Sequence, residues 1–338
     1  MKRYLALLLG ALLLVCAACG RDPSQSTEAQ PICIGVLTDG AAIDQGLNHQ
    51  IWNALDSLAE EGLPLRRAYR IPETDGTYTE CITALAEEGC KLIFCADGSM
   101  SSTVQKAAQS RTDLQFVIAE GETGQLNNVS SMTFATEQAA YLAGIAAGKM
   151  TRSGRVACVH GRLTEETERI TAAFMAGVLA ADDEVILLRE NILGQRDGGD
   201  SAAEMLVTKG VDVIFHADRT ERSAVIAACA RNGIWAVGAW KDRSGEGAQT
   251  VLTSAVHNIA AAVQDVVRDY ADGSFTAGVR YYDLSRQGVD LVLPGLLSDK
   301  TQTSVNNAKT KLAAGETVVP QTLQALAEKY PDLAQTKE

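Results

Sequence analysis

The sequence predicts an α/β protein of two lobes, each holding a parallel sheet with helices on both faces. Short apolar runs alternate with amphipathic helical patterns from Ile32 onward, and that alternation is typical of parallel sheets. A chain of 338 residues is also too long for one small core and has the size of two ordinary α/β lobes. The first series of strands and helices ends near Phe134, and a second series follows it.

Strands are predicted where apolar and β-branched residues run together over a short stretch. In chain order, these are residues 32–37, 65–71, 91–95, 115–119, 129–134, 155–160, 185–192, 211–216, 235–238, 251–256, 279–284 and 289–293. Helices are predicted where apolar residues recur with the period of a helix turn. These are residues 48–61, 79–88, 101–110, 137–150, 165–180, 200–209, 221–232, 259–270 and 299–314.

The order of these elements also predicts the division into lobes. Residues 251–256 and 279–284 come after the second series is complete, and late strands of this kind can return to the first lobe. Several crossings between lobes make a hinge rather than a flexible linker. The predicted first lobe is residues 32–134 plus 255–285, and the predicted second lobe is residues 135–254 plus 286–338.

The first residues predict export. Residues 1–18 combine a basic start with an apolar run and small residues before a cut, which is the pattern of a signal peptide. The small residues followed by Cys19 and a glycine resemble a bacterial lipobox, and in that resemblance the Cys19 thiol carries a lipid. The alternatives are an ordinary signal peptide cut near Ala18 or an uncleaved anchor. Residues 19–31 are then the lipidated cysteine and a polar, flexible tether.

Charge narrows the possible partners. The formal net charge is −12, and removal of Lys2 and Arg3 with the signal peptide takes it to −14. A surface of that sign repels nucleic acid and anionic headgroups, so we expect no nucleic-acid partner and only the lipid as membrane anchor. A monomer is expected.

Six cysteines follow the signal region: Cys33, Cys81, Cys90, Cys95, Cys158 and Cys229. An even number in an exported chain permits disulfides. Cys33, Cys95 and Cys158 nevertheless lie in apolar strand-like runs, and Cys229 lies in an alanine-rich helix, so buried free thiols are favoured. Neither a CxxC pair nor a Cys/His cluster has metal-ligand spacing, and no metal site is expected.

Candidate ligand-binding residues follow the predicted strands, because ligands of open parallel sheets bind beyond the carboxyl ends of the strands. The polar candidates are Asp39, Asp44, Asn48, Asp97, Ser99 and Asp218. Trp240 is a candidate for stacking on a flat ligand. Each has an alternative: the carboxylates and Ser99 can cap turns or helices, Asp218 can form a solvated ion pair, and Trp240 can simply pack.

Motifs of catalysis are missing from the chain. It has no GxSxG elbow, no GxxxxGK[ST] phosphate loop, no HExxH and no GxGxxG. The acidic residues of the loops offer no clear acid/base pair. The sequence therefore favours a binding protein without a cofactor over an enzyme.

Several segments together resemble the BMP (basic membrane protein) family. The stretch IGVLTDGAAID from Ile34, followed by Leu47, Asn48 and Trp52, resembles its first motif. Further matches follow in order at residues 129–134 with 141–144, 154–156, 174–177, 210–215 and 251–254. The resemblance covers about residues 32 to 320. Members are lipid-anchored substrate-binding proteins of ABC transporters, and the purine-nucleoside receptor lipoproteins belong to them.

The resemblance implies a type I periplasmic-binding-protein fold with two Rossmann-like lobes, three hinge crossings and a ligand in the cleft. It also implies that ligand binding closes the cleft and that a permease recognises the closed form. Three positions depart from the family. Leu47 replaces an aromatic residue, Trp240 stands where an acidic residue is common, and His257 replaces a basic residue. The last two positions are those expected to hold ribose hydroxyls, so His257 joins the candidate residues.

The sequence as a whole predicts an extracytoplasmic, lipid-anchored solute-binding protein whose partners are ABC permease and ATPase subunits. The favoured ligand is a nucleoside or a nucleoside-like molecule, with a sugar or another small solute as the alternative. A sensor of the same fold that regulates a membrane partner, and an exported enzyme, are the other functional classes considered.

Overall fold

The computed structural model describes residues 31–73, 77–193, 197–217 and 222–331. The predicted signal peptide, Cys19, the tether up to residue 30 and Asp218 lie outside these residues.

The described residues form strands and helices in alternation. The strands are β1 Ile32–Leu37, β2 Leu65–Arg70, β3 Leu92–Cys95, β4 Gln115–Ala119, β5 Val129–Phe134, β6 Arg155–His160, β7 Ile186–Asn191, β8 Val213–His216, β9 Trp235–Trp240, β10 Val251–His257, β11 Gly278–Tyr282 and β12 Val289–Val292. The helices are α1 Gly46–Glu60, α2 Tyr78–Glu87, α3 Ser101–Ser110, α4 Thr136–Met150, α5 Glu165–Ala181, α6 Gly198–Thr208, α7 Arg222–Asn232, α8 Ile259–Ala271, α9 Asp299–Ala313 and α10 Leu323–Lys329.

These strands make two sheets, with orders β11-β5-β4-β3-β1-β2 and β12-β10-β9-β8-β6-β7. Every pairing is parallel except that of β12, which runs antiparallel to β10 at the edge of the second sheet. Strands β3 and β8 are buried at every position, as expected for parallel strands covered by helices on both faces. The predicted α/β fold with two parallel sheets is confirmed.

Each predicted strand and helix is present, with ends that shift by one or two residues. Helix α10 was not predicted. The end of β10 departs from the predicted division: residues from 255 on are predicted in the first lobe, but β10 pairs with β9 and β12 up to His257. Strand β11 does join the first sheet, beside β5. Residues 255–257 therefore belong to the second sheet, and the remaining lobe boundaries stay a prediction.

In its described part, the chain passes between the sheets three times: after β5, between β10 and β11, and between β11 and β12. The crossings are hydrogen-bonded to one another. The amide of Ala135 donates to the carbonyl of Tyr282 at 3.0 Å, and the amide of Asn258 donates to the carbonyl of Gly288 at 2.8 Å. Because each crossing is tied to another, the junction is a defined hinge.

Helices α4 and α5 pack on each other through small residues. A Cβ atom at Gly144 would lie 2.1 Å from the carbonyl oxygen of Phe174, and one at Gly177 would lie 2.0 Å from that of Tyr141. Two glycines thus let the backbones touch, and the neighbouring alanines of both helices are buried. This contact builds the body of the second lobe behind the cleft.

The cysteine prediction was wrong for one pair. Cys33 of β1 is bonded to Cys90, with their Cα atoms 4.3 Å apart. The pairing arises because β1 lies beside β3, which brings Cys33 next to the segment that leads into β3, where Cys90 lies two residues before the strand. Cys95, Cys158 and Cys229 are buried free thiols as predicted. Burial raises the pKa of Cys158 and of Cys229 to about 12, so both stay protonated and unreactive.

Across residues 31–73, 77–193, 197–217 and 222–331, no helix combines the length and the apolar character that a membrane crossing demands.

The glycine contact predicts that Gly177→Ala destabilises the fold. The added methyl group would meet backbone rather than a flexible side chain, so the helices must separate, at a cost of about 1–3 kcal/mol in the free energy of unfolding. Urea denaturation measures this change. Gly245→Ala is the matched control, because nothing lies within 4 Å of its Cβ position. Equal stability of the two variants would contradict the close packing.

Candidate functional site

A cleft of about 440 Å³ lies where the carboxyl ends of the first sheet meet α5 of the second lobe. Its lining from the first lobe is Asp97, Gly98, Ser99, Glu120, Thr133 and Phe134, and its lining from the second lobe is Glu166 and Arg169. Its volume falls within the range of small-molecule sites, and its position follows the rule for open parallel sheets.

The loop after β1 is organised by Asn48, which is 1% exposed. Its amide nitrogen donates to Asp39 Oδ1 at 2.8 Å and lies 3.3 Å from the carbonyl oxygens of Ala41 and Ala42. Asp39 Oδ1 also accepts from the amide of Ala41 at 3.1 Å. The sequence therefore folds this loop around the Asn48 amide, which leaves the exposed carboxylate of Asp39 at the carboxyl end of its strand.

The loop after β3 carries Asp97 and Ser99 into the cleft. Asp97 Oδ1 accepts from the amide of Ser99 at 2.8 Å, so its carboxylate caps the short turn that leads into α3. Gly98 is required there because a Cβ atom would lie 2.4 Å from the carbonyl oxygen of Glu120. The close approach brings the ends of β3 and β4 together. Asp97 thus caps a turn, which is the alternative role that the sequence offers for it.

Glu120 follows β4 in a left-handed conformation, with φ of 53°. Its Oε1 lies 3.2 Å from Nδ1 of His257, the last residue of β10. Glu120 belongs to the first sheet and His257 to the second, so this contact crosses between the lobes. The His257 side chain is 6% exposed. A hydrogen bond in such buried surroundings is stronger than the same bond in water.

His257 makes further contacts on each side. Its Nε2 lies 2.8 Å from Oγ1 of Thr136 at the start of α4. Its ring stacks on Phe134, the last residue of β5, with 4.5 Å between ring centroids. Trp240 meets its edge at 5.6 Å. These contacts place His257 at the junction of the lobes, in direct contact with the cleft-lining residues Glu120 and Phe134.

Trp240 is the last residue of β9 and not part of the following loop, because pairing with β10 continues to Val256. Its φ of 74° is unusual for a bulky side chain and costs on the order of 1–3 kcal/mol. Strain of this size persists where the surroundings fix the residue. Here the half-buried indole is fixed beside His257, close to the cleft.

Helix α5 supplies Glu166 and Arg169 one turn apart. Nε of Arg169 lies 3.4 Å from Oε2 of Glu137 in the first turn of α4. The other oxygen of Glu137 accepts from the hydroxyl of Tyr281 at 2.6 Å. Burial and this hydrogen bond to a carboxylate raise the pKa of Tyr281, which keeps the phenol protonated and donating.

The structure brings some of the predicted residues together and separates others. Asp97 and Ser99 line the cleft, His257 contacts the lining residues Glu120 and Phe134, and Trp240 packs beside His257. Asp39 and Asn48 follow β1, the neighbour of β3, at the same edge. Asp44 is exposed, and Leu47 is half-buried against the core. Their roles toward a ligand stay a prediction.

Six of the lining residues are not among the candidates predicted from the sequence: Gly98, Glu120, Thr133, Phe134, Glu166 and Arg169. Glu120 had a signal, since it directly follows a predicted strand. The only sequence feature that links Glu166 and Arg169 is their spacing of one helix turn, and charged residues on any solvated helix have such spacings. Their place in the cleft depends on how the lobes meet.

In the described part of the chain, no group of three or more His, Cys, Asp or Glu side chains has the arrangement of a metal site. The cleft instead offers carboxylates and a hydroxyl as acceptors and a guanidinium as donor, which suits hydrogen bonding to a small polar molecule.

Comparison with known proteins identifies relatives in sequence and neighbours in fold. A Lactococcus lactis subsp. cremoris protein, ABC transporter nucleoside-binding protein BmpA, is 26% identical over 348 residues, which cover 94% of this chain and 99% of that protein. A solute-binding protein of an ABC transporter system from Conexibacter woesei superimposes with a TM-score of 0.71 at 20% identity, over 86% of this chain and 99% of its own.

A transcriptional activator of the comK gene from Bacillus halodurans superimposes with a TM-score of 0.73 at 21% identity, over 85% of this chain and 99% of its own. At such identities the structural likeness shows the fold alone. The family model for Bmp, described as ABC transporter substrate-binding protein PnrA-like, matches residues 32–322. The resemblance to the BMP family is thereby confirmed, and the chain belongs to the Bmp family of ABC transporter substrate-binding proteins.

Proposed function

We propose that the protein captures a nucleoside or nucleoside-like molecule in the cleft between its lobes and delivers it to an ABC importer. The observation that carries this proposal is the cleft of about 440 Å³, lined from both lobes by polar side chains. A ligand that touches both lobes binds best when they are closed, so binding favours the closed form. That form is the one a permease would recognise.

Residues that line the cleft or lie next to it support a nucleoside as the ligand. Hydroxyl groups of a ribose would donate to carboxylates such as Asp97 and Glu120, which are acceptors when ionised. Trp240 is the aromatic side chain that would stack on a base, in place of the ring that Leu47 does not supply. The Lactococcus lactis relative, at 26% identity, bears a nucleoside-binding name. A sugar or another small polar solute is the alternative within the same cleft.

Export and lipid anchoring belong to the same proposal. Substrate-binding proteins of ABC transporters work outside the cytoplasm, and a lipid on Cys19 would keep this one beside its permease. The disulfide between Cys33 and Cys90 supports export, because disulfides persist in oxidising compartments. The strongly acidic chain has no affinity of its own for anionic headgroups, so the proposed anchor is covalent.

A sensor is the second candidate function. The Bacillus halodurans neighbour in fold is a transcriptional activator of the comK gene, and a closed form can signal to a membrane partner as readily as to a permease. Neighbouring genes for an ATPase and two permeases would support import, and their absence would support sensing.

The ligand class is tested by thermal denaturation of the purified protein with single nucleosides, bases and sugars. We expect a nucleoside to raise the melting temperature, since a ligand at a hundred times its Kd stabilises the folded state by about 2.7 kcal/mol. A rise with sugars alone would transfer the proposal to the sugar class. No rise with any compound would contradict it.

Replacement of the indole tests the stacking role. Trp240→Ala should weaken the binding of an aromatic ligand by more than tenfold, since stacking is worth about 1–3 kcal/mol per base. Isothermal titration calorimetry measures the Kd. Trp235→Ala is the matched control, because Trp235 lies at the opposite end of the same strand. Unchanged affinity in Trp240→Ala would eliminate the proposed stacking.

A further inference from the structure

Glu137 is a buried carboxylate that bridges two parts of the molecule. Its side chain is 6% exposed, and a charge in that position is costly unless it is paired. Oε1 accepts from the Tyr281 hydroxyl at 2.6 Å, and Oε2 lies 3.4 Å from Nε of Arg169. Oε1 is therefore hydrogen-bonded and Oε2 lies within ion-pair distance, each to a side chain from a different element. Tyr281 comes from β11 of the first sheet and Arg169 from α5 of the second lobe.

Arg169 reaches from this pair into the cleft. Its side chain is 29% exposed and forms part of the cleft lining. A guanidinium has five N–H donors in a rigid fork, and Nε faces Glu137. Among the described residues, Glu137 is the partner that the structure gives Arg169. The terminal nitrogens are then available to a molecule that occupies the cleft.

We propose that Arg169 is the ligand-contacting, specificity-determining residue of the second lobe, and that Glu137 is the positioning residue that holds its guanidinium at the cleft. This inference rests on the proposed function and names the chemistry of that site. The ligand presents an acceptor, such as a carbonyl oxygen or a ring nitrogen, to Arg169. Its donors face the first lobe.

The charges of the cleft define the ligand further. Asp97, Glu120 and Glu166 share the lining with Arg169, and the Arg169 charge is already balanced by Glu137. An anionic group entering this cleft would lie beside three carboxylates and only one guanidinium, so carboxylates dominate its surroundings. The arrangement therefore suits an uncharged ligand and disfavours a phosphorylated one.

Tyr281 extends the arrangement across the lobes. Strand β11 pairs with β5 of the first sheet, and the hydroxyl of Tyr281 donates to Glu137 at the start of α4. The position of Arg169 therefore depends on how the first lobe sits against the second. A ligand that binds both Arg169 and the first-lobe carboxylates would depend on the same relative position of the two lobes.

A double-mutant cycle on Arg169→Gln and Glu137→Gln tests the inference, with the Kd of adenosine, guanosine, inosine, cytidine, uridine and D-ribose measured singly by calorimetry. Arg169→Gln should weaken binding about ten- to hundredfold, the loss expected for a hydrogen bond to a charged group. Glu137→Gln should weaken it too, but should add almost nothing in the Arg169→Gln background. Glutamine keeps an acceptor for Tyr281.

The controls separate positioning from structure. Arg152→Gln removes an exposed arginine of the same lobe that lines a different depression, and should leave the Kd unchanged. Equal binding by Arg169→Gln and the unmutated protein would overturn the inference alone. So would an undiminished effect of Glu137→Gln in the Arg169→Gln background, since that would mark a structural role. An unmutated protein that binds none of the probes would overturn the proposed ligand class, and the inference with it.

Discussion

The contact between His257 and the cleft-lining residue Glu120 joins the two sheets at the junction of the lobes. His257 ends β10 of the second sheet, and Glu120 follows β4 of the first, with 3.2 Å between Nδ1 and Oε1. The imidazole is buried, so both of its nitrogens need partners, and Thr136 provides the second. Phe134 and Trp240 then pack against the same ring from opposite sheets. A substitution here would disturb both lobes at once.

The helices of the second lobe that lie next to this junction are closely packed. In the second lobe, Gly144 and Gly177 let α4 and α5 pack with their backbones in contact. Helix α4 starts at the first crossing and carries Thr136 and Glu137, the partners of His257 and Arg169. Helix α4 therefore connects the junction of the lobes with Arg169 of α5, which lines the cleft. Hinge closure needs this kind of link, because packed elements move as units.

Most of the fold could be predicted from the sequence, because the elements are defined locally. Buried parallel strands are continuous apolar runs, and their order along the chain alternates with amphipathic helices. What could not be predicted depends on neighbours in space. The disulfide of Cys33 with Cys90 requires that β1 lie beside β3, and the placement of β10 in the second sheet requires pairing with β9 and β12.

The candidate site divides in the same way. Asp97 and Ser99 follow a strand, so the rule that ligands bind at strand ends finds them. Arg169 and Glu166 lie on the first turns of α5, and no local pattern distinguishes them from other charges on a helix. Asn48 matches the family motif, yet its amide is used within its own loop. Sequence alone thus locates the edge of the sheet but not the side chains that the other lobe contributes.

Small-angle X-ray scattering tests most directly whether both lobes hold the ligand. The protein is measured alone and with the nucleoside that raises its melting temperature most, at saturating concentration. We expect the ligand to lower the radius of gyration, because the lobes would close around it. An unchanged radius of gyration at full saturation would contradict a cleft that closes on its ligand.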